Sequence, residues 1–131
     1  LVPGGLLSLV DGNRYNEVFR KALLQNDLPA ALQAVGTSDY PHRWFNRNVP
    51  IYSAGEMIEM LQACDCDLAG QYGIWCVCPY LPNEPKYDPA YYVDLERLEF
   101  CLSSTYPYDL MARFFQVIVQ KRKHDPCEKP A

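Results

Sequence analysis

Apolar residues recur at helical spacing along much of this chain. From Asn13 onward, Tyr15, Val18, Phe19, Ala22 and Leu23 fall at i, i+3, i+4, i+7 and i+8, one face of a helix. Asn26-Asp27 interrupts the run. Asp27 is placed to cap a second helix, Pro29 lies in its first turn, and Gly36 ends it. Ala31, Leu32 and Val35 are its expected buried stripe, and the two segments read as an αα-hairpin. Ahead of them, Pro3, Gly4, Gly5 and Gly12 surround Leu6, Leu7, Leu9 and Val10, which reads as an irregular start with a short apolar plug.

Residues 37–50 read as loop, with Pro41, Pro50 and several Asn, Ser and Asp residues. A third helix then begins with clear punctuation. Ser53 is its N-cap, Glu56 completes a capping box, and Tyr52 and Met57 hold the staple positions. Met57, Ile58, Met60, Leu61 and Cys64 are expected to face inward. After Gly70 and Gly73, Ile74–Cys78 is short and β-prone, an extended segment or single strand. Pro79, Pro82 and Pro85 stiffen residues 79–87.

Asp88-Pro89 is an N-cap followed by a first-turn proline. Behind it, Tyr91, Leu95, Leu98 and Leu102 take helical spacing opposite Asp94, Glu96, Arg97 and Glu99. Pro107 opens an expected last helix, with Leu110, Met111, Phe114, Val117 and Ile118 on one face and Phe115 and Val119 on a second. A helix apolar on two sides is central to its fold or covers a partner, including a second copy. The expected fold is a single domain over residues 1–131, mainly α with about five helices and one short extended segment or hairpin. An α+β fold, with residues 70–82 pairing as a hairpin, is the second choice.

Cysteine usage adds a covalent expectation. The chain has 6 cysteines, at positions 64, 66, 76, 78, 101 and 127. An even number suits disulfides and an oxidising compartment. Cysteines one residue apart are poorly placed to bond each other. Cys64 and Cys66 are therefore expected to pair with Cys76 and Cys78, leaving Cys101 for Cys127. Four thiolates in two Cys-x-Cys pairs are the metal alternative, although structural zinc sites usually space ligands Cys-x2–4-Cys. The chain starts at Leu1, which fits a processed mature protein or an excised domain. Together these features imply a secreted or secretory-pathway domain.

Charge narrows the function classes. The formal net charge is −4, and the only basic run is Lys121-Arg122-Lys123-His124. Nucleic acid is therefore not an expected partner. No apolar run is long enough to span a bilayer.

No cofactor, metal or catalytic site is expected. Gly-x-Ser-x-Gly and Gly-rich phosphate loops are missing from the sequence. Glu56/Glu59 and Glu96/Glu99 lie at i, i+3 on polar helix sides, where solvated charge is the simpler reading. His42 and His124, with Lys121 or Lys123, are the pieces of a small nuclease-like hydrolase that works with two histidines. Recognition residues are denser. Arg43, Trp44, Phe45 and Arg47 gather types enriched at binding hot spots, and Tyr80, Tyr87 and Tyr91 stand beside rigid prolines. These loops point to a binding domain that recognises a protein or other macromolecular partner, a protein first.

Overall fold

The computed structural model describes residues 1–123. In chain order they form β1 (Leu6–Gly12), α1 (Asn16–Phe19, continued by a π turn over Arg20–Leu24) and α2 (Leu28–Ala34). Next come β2 (Asp39–His42), β3 (Arg47–Pro50), α3 (Ala54–Ala63), β4 (Cys66–Ile74), α4 (Pro89–Ser103) and β5 (Phe114–Lys121). Short 3₁₀ turns cover Cys78–Tyr80, Glu84–Tyr87 and Tyr108–Met111. The fold is mixed α+β, not mainly α.

The expected last helix is the central strand. In Phe114–Lys121, Phe115, Val117 and Val119 alternate with Phe114, Gln116, Ile118 and Gln120. β-branched and aromatic residues favour the pleated backbone, and both faces of a central strand can be apolar. The two-sided apolarity that suggested a partner-covering helix has this cause. β5 lies between β1 and β4, antiparallel to both. Val117 and Val119 are 0% exposed, so this segment offers no free helical face for self-association.

Two further loop assignments give way to strands. Leu7 and Leu9 of β1 alternate with exposed Leu6, Ser8 and Val10, and pack on the core while pairing with Val119 and Val117. Residues 37–50 contain a second, two-stranded sheet, β2 against β3. β4 runs through both expected breakers, Gly70 and Gly73, with a register irregularity between Leu68 and Gly70. It ends at Ile74, where an extended segment was expected to begin.

One layer of helix covers the sheet. Phe115, Val117, Val119 and Cys66 meet Ala54 and Met57 of α3, with Ile58 and Leu61 packed beside them. Burying each large apolar side chain here stabilises by about 1.5–3 kcal/mol. Met60 and Cys64, expected inward, are exposed. In α2, Ala31 and Ala34 are buried while Leu32 and Val35 face solvent. The Asp27, Ser53 and Asp88 caps form as expected.

Two buried asparagines fasten the α1 end to the turn before β5. Asn13 Nδ2 donates to Leu110 O and Ala112 O, both at 2.8 Å. Asn16 Nδ2 donates to Met111 O at 2.9 Å and to the Tyr80 hydroxyl at 2.5 Å. Three carbonyls that no helix or strand would satisfy are thereby paired.

The expected disulfides are not formed. Cys64, Cys66, Cys76, Cys78 and Cys101 are free thiols. Cys64 and Cys66 sit at the start of β4, while Cys76 and Cys78 lie beyond its far end. That strand alone spans roughly 25 Å, against a Cα separation of about 7 Å at most for a disulfide. The same distance keeps the four thiolates from sharing a metal. Cys127, the expected partner of Cys101, lies outside the described residues. Without those pairings, the secretory-compartment expectation loses its structural basis.

The Ser53–Glu56 capping box gives a stability test. The Ser53 N–H donates to the Glu56 carboxylate at 2.7 Å, and Glu56 N–H donates to the Ser53 hydroxyl at 3.3 Å. The bond from the Ser53 backbone holds the Glu56 carboxyl below its ordinary pKa; burial opposes it, and the Ser53 hydroxyl and Arg14 add to the lowering. A carboxylate depressed in the folded state stabilises above its unfolded pKa and loses that contribution as pH falls through the folded value. Ser53→Ala should cost about 1 kcal/mol at neutral pH in denaturant unfolding. The difference between wild type and Glu56→Gln should shrink once the pH is below the carboxylate range.

Candidate functional site

Two surfaces bring together residues suited to recognition. The first is the tip of the β2–β3 hairpin. Asn46 turns the chain there with φ +46°, a left-handed conformation that asparagine tolerates better than most residues. His42 is half-buried, and its Nδ1 accepts from the Trp44 backbone N–H at 3.2 Å. Its ring lies 4.5 Å from Phe45, and the Arg47 guanidinium lies 5.9 Å from the same ring. Trp44 is left 85% exposed and Phe45 62% exposed, flanked by exposed Arg43 and Arg47.

The hairpin is anchored at its base. Ile51 is buried, and its N–H donates to Ser38 O at 2.9 Å. Tyr52 bridges Asn13, and its carbonyl accepts from Arg14 N–H at 2.9 Å. The exposed rings therefore stand on an attached element, not on a loose loop.

The expected tyrosines separate into different roles. Tyr80 is structural, since its hydroxyl accepts from buried Asn16 and burial pushes its pKa up. Tyr91 is half-buried in the first turn of α4. Tyr87 is 85% exposed. The aromatic contacts of the hairpin tip stay within Tyr40, His42 and Phe45.

The second surface is built around Glu99. Its carboxylate accepts the backbone N–H groups of Cys76, Val77 and Cys78 at 2.8, 2.8 and 2.6 Å. Three successive N–H groups point one way only if the chain turns sharply before them. Trp75 supplies that turn with φ +61°, a conformation that costs a bulky L-residue about 1–2 kcal/mol. Charge-assisted hydrogen bonds contribute about 1.5–3 kcal/mol each, enough to offset the strain. Lys86 Nζ braces the far side, donating to Cys78 O, Leu81 O and Asn83 Oδ1 at 2.9, 3.0 and 3.1 Å.

Behind this loop, β4 approaches the 108–111 turn closely. A Cβ on Gly73 would lie 2.8 Å from both Ala112 Cβ and Asp109 O, so only glycine fits. Trp75 stacks edge-on against Phe114, with ring centroids 5.7 Å apart, and stays 52% exposed. Asp109 Oδ1 is buried with no hydrogen-bond partner among the described residues. Burial raises the Cys76 thiol pKa to about 11, with the Glu99 and Asp109 charges acting in the same direction.

Sequence reasoning missed this second surface. Glu96 and Glu99 read as solvated charge, and Trp75 as part of a strand. The available signal was Tyr92, Glu96 and Phe100 at i, i+4 and i+8, a stripe running beside Leu95 and Glu99 on α4. Phe100 is 82% exposed on that stripe.

The two-histidine constellation is not brought together among the described residues, because His124 lies outside them. Lys121 is already engaged, donating to Cys64 O at 2.7 Å. Among the described residues no group of His, Cys, Asp and Glu side chains could hold a metal ion. None of their helices is long and apolar enough to cross a membrane. No protein-family model matches the chain, and no curated protein matches its sequence.

Thiol reactivity checks this geometry. Unfolded without reductant, the chain should alkylate at Cys64, Cys66, Cys76, Cys78 and Cys101, read by peptide mass mapping. In the native state at pH 8, exposed Cys64 and Cys101 should react fastest. Cys76 should lag by at least tenfold, because a thiol titrating near 11 holds very little thiolate at that pH.

Proposed function

We propose that this chain is an interaction domain that binds a protein partner through the tip of the β2–β3 hairpin. The 85% exposure of Trp44 carries this reading. A tryptophan presented to water beside exposed Phe45, Arg43 and Arg47 is costly to solvate and combines residue types typical of hot spots. Burying the two rings against a partner would remove a few hundred Å² from water, worth on the order of 5 kcal/mol before association costs. The anchored hairpin base supports the same reading, because a pre-ordered tip loses little conformational entropy on docking. Exposed Tyr87 is a second, separate contact point.

The test is a crosslink followed by a titration. A photoreactive residue in place of Arg43 should capture a partner from the source extract, and that partner is then purified. Calorimetry should show Trp44→Ala weakening its binding by at least tenfold, with the unfolding midpoint of the domain unchanged. Equal affinity for Trp44→Ala and wild type would refute the assignment.

A further inference from the structure

A hollow of about 290 Å³ opens between α4 and the loop after β4. Its walls include Trp75, Tyr92, Leu95, Glu96, Glu99 and Phe100. The volume is near the lower limit for small-ligand sites, too small for a helix and large enough for one long side chain. Three aromatic rings and Leu95 make the hollow apolar, and its two charged members are both carboxylates. Among the described residues no cation lies within ion-pair distance of Glu96 or Glu99. Arg97 is the only cation on α4; it makes no ion pair with Glu96 and lines, with Glu96, Phe100 and Cys101, the adjoining hollow on the outer side of the helix. The Lys86 ammonium is turned to the carbonyls of Cys78 and Leu81.

Charge decides what fits. An aliphatic guest would desolvate Glu96 with no compensation, and an anionic guest would meet two carboxylates. A guanidinium on an apolar stem satisfies each wall. The stem packs on Leu95, the planar head lies against the rings, and its N–H groups reach Glu96 at the rim. We infer that this hollow is a docking socket for an arginine side chain of a protein partner. It is a different surface from the hairpin tip, and it stands or falls independently of that reading.

The experiment uses the full chain carrying Trp44→Phe, which leaves Trp75 as the one tryptophan. The probe is a capped glycine peptide with a single arginine, and the control has citrulline, its uncharged isostere, in place of arginine. The Trp75 indole N–H resonance should shift saturably with the arginine peptide. Citrulline should bind at least about fivefold more weakly, and Glu96→Gln should weaken the arginine peptide at least about threefold, as should high salt. No saturable shift at Trp75 would overturn the proposal. So would equal binding of citrulline, or an unaltered affinity in a folded Glu96→Gln protein.

Discussion

One carboxylate ties the longest helix of this molecule to the loop that leaves its sheet. Glu99 sits on α4, and the three N–H groups it accepts belong to the loop that follows β4. β4 is hydrogen-bonded to β5, and β5 carries the core. The Glu99 bonds therefore tie α4 to the sheet through backbone, where side-chain packing is sparse. α4 buries only Leu95 fully, too little apolar surface to hold a helix of this length by hydrophobic contact alone. The left-handed Trp75 backbone is the cost of aiming three donors at one acceptor. Its consequence is a tryptophan held at a fixed angle beside α4, with its ring half in water.

The other anchor is β5. It follows a turn fixed by Asn13 and Asn16, which satisfy the carbonyls of Leu110, Met111 and Ala112. Buried amides of this kind specify position more than they add net stability, because their alternative is unpaired carbonyls in the interior. The chain enters β5 in register, and Phe115, Val117 and Val119 face α3.

Local signals in the sequence were legible wherever one residue decides. The Asp27, Ser53 and Asp88 caps, the first-turn prolines and the capping box all stand as the sequence implies. Periodicity was less informative. Phe114–Val119 fits helical spacing, yet it is rich in aromatic and β-branched residues and alternates strictly in burial. Only its pairing with β4 and β1, both far away in the chain, makes it a strand, and no local window contains those partners. The cysteines misled for a similar reason. Their even number and Cys-x-Cys spacing suggested pairing, while the length of β4 separates Cys66 from Cys76. Of the recognition residues, Trp44, Phe45, Arg43 and Arg47 do share one exposed tip. Tyr80 is half-buried and tied to Asn16 through its hydroxyl, and Glu99 took a role that its position on a polar helix side concealed.

The central claim is that Glu99 holds the Trp75–Cys78 loop. Amide hydrogen exchange at Cys76, Val77 and Cys78 tests it most directly, comparing wild type with Glu99→Gln. In wild type these three amides should be protected well beyond an exposed loop. Glu99→Gln should speed their exchange at least tenfold while the β1–β5 amides keep their protection. Exchange at those three amides that is fast in wild type, or unchanged by the substitution, would contradict the account.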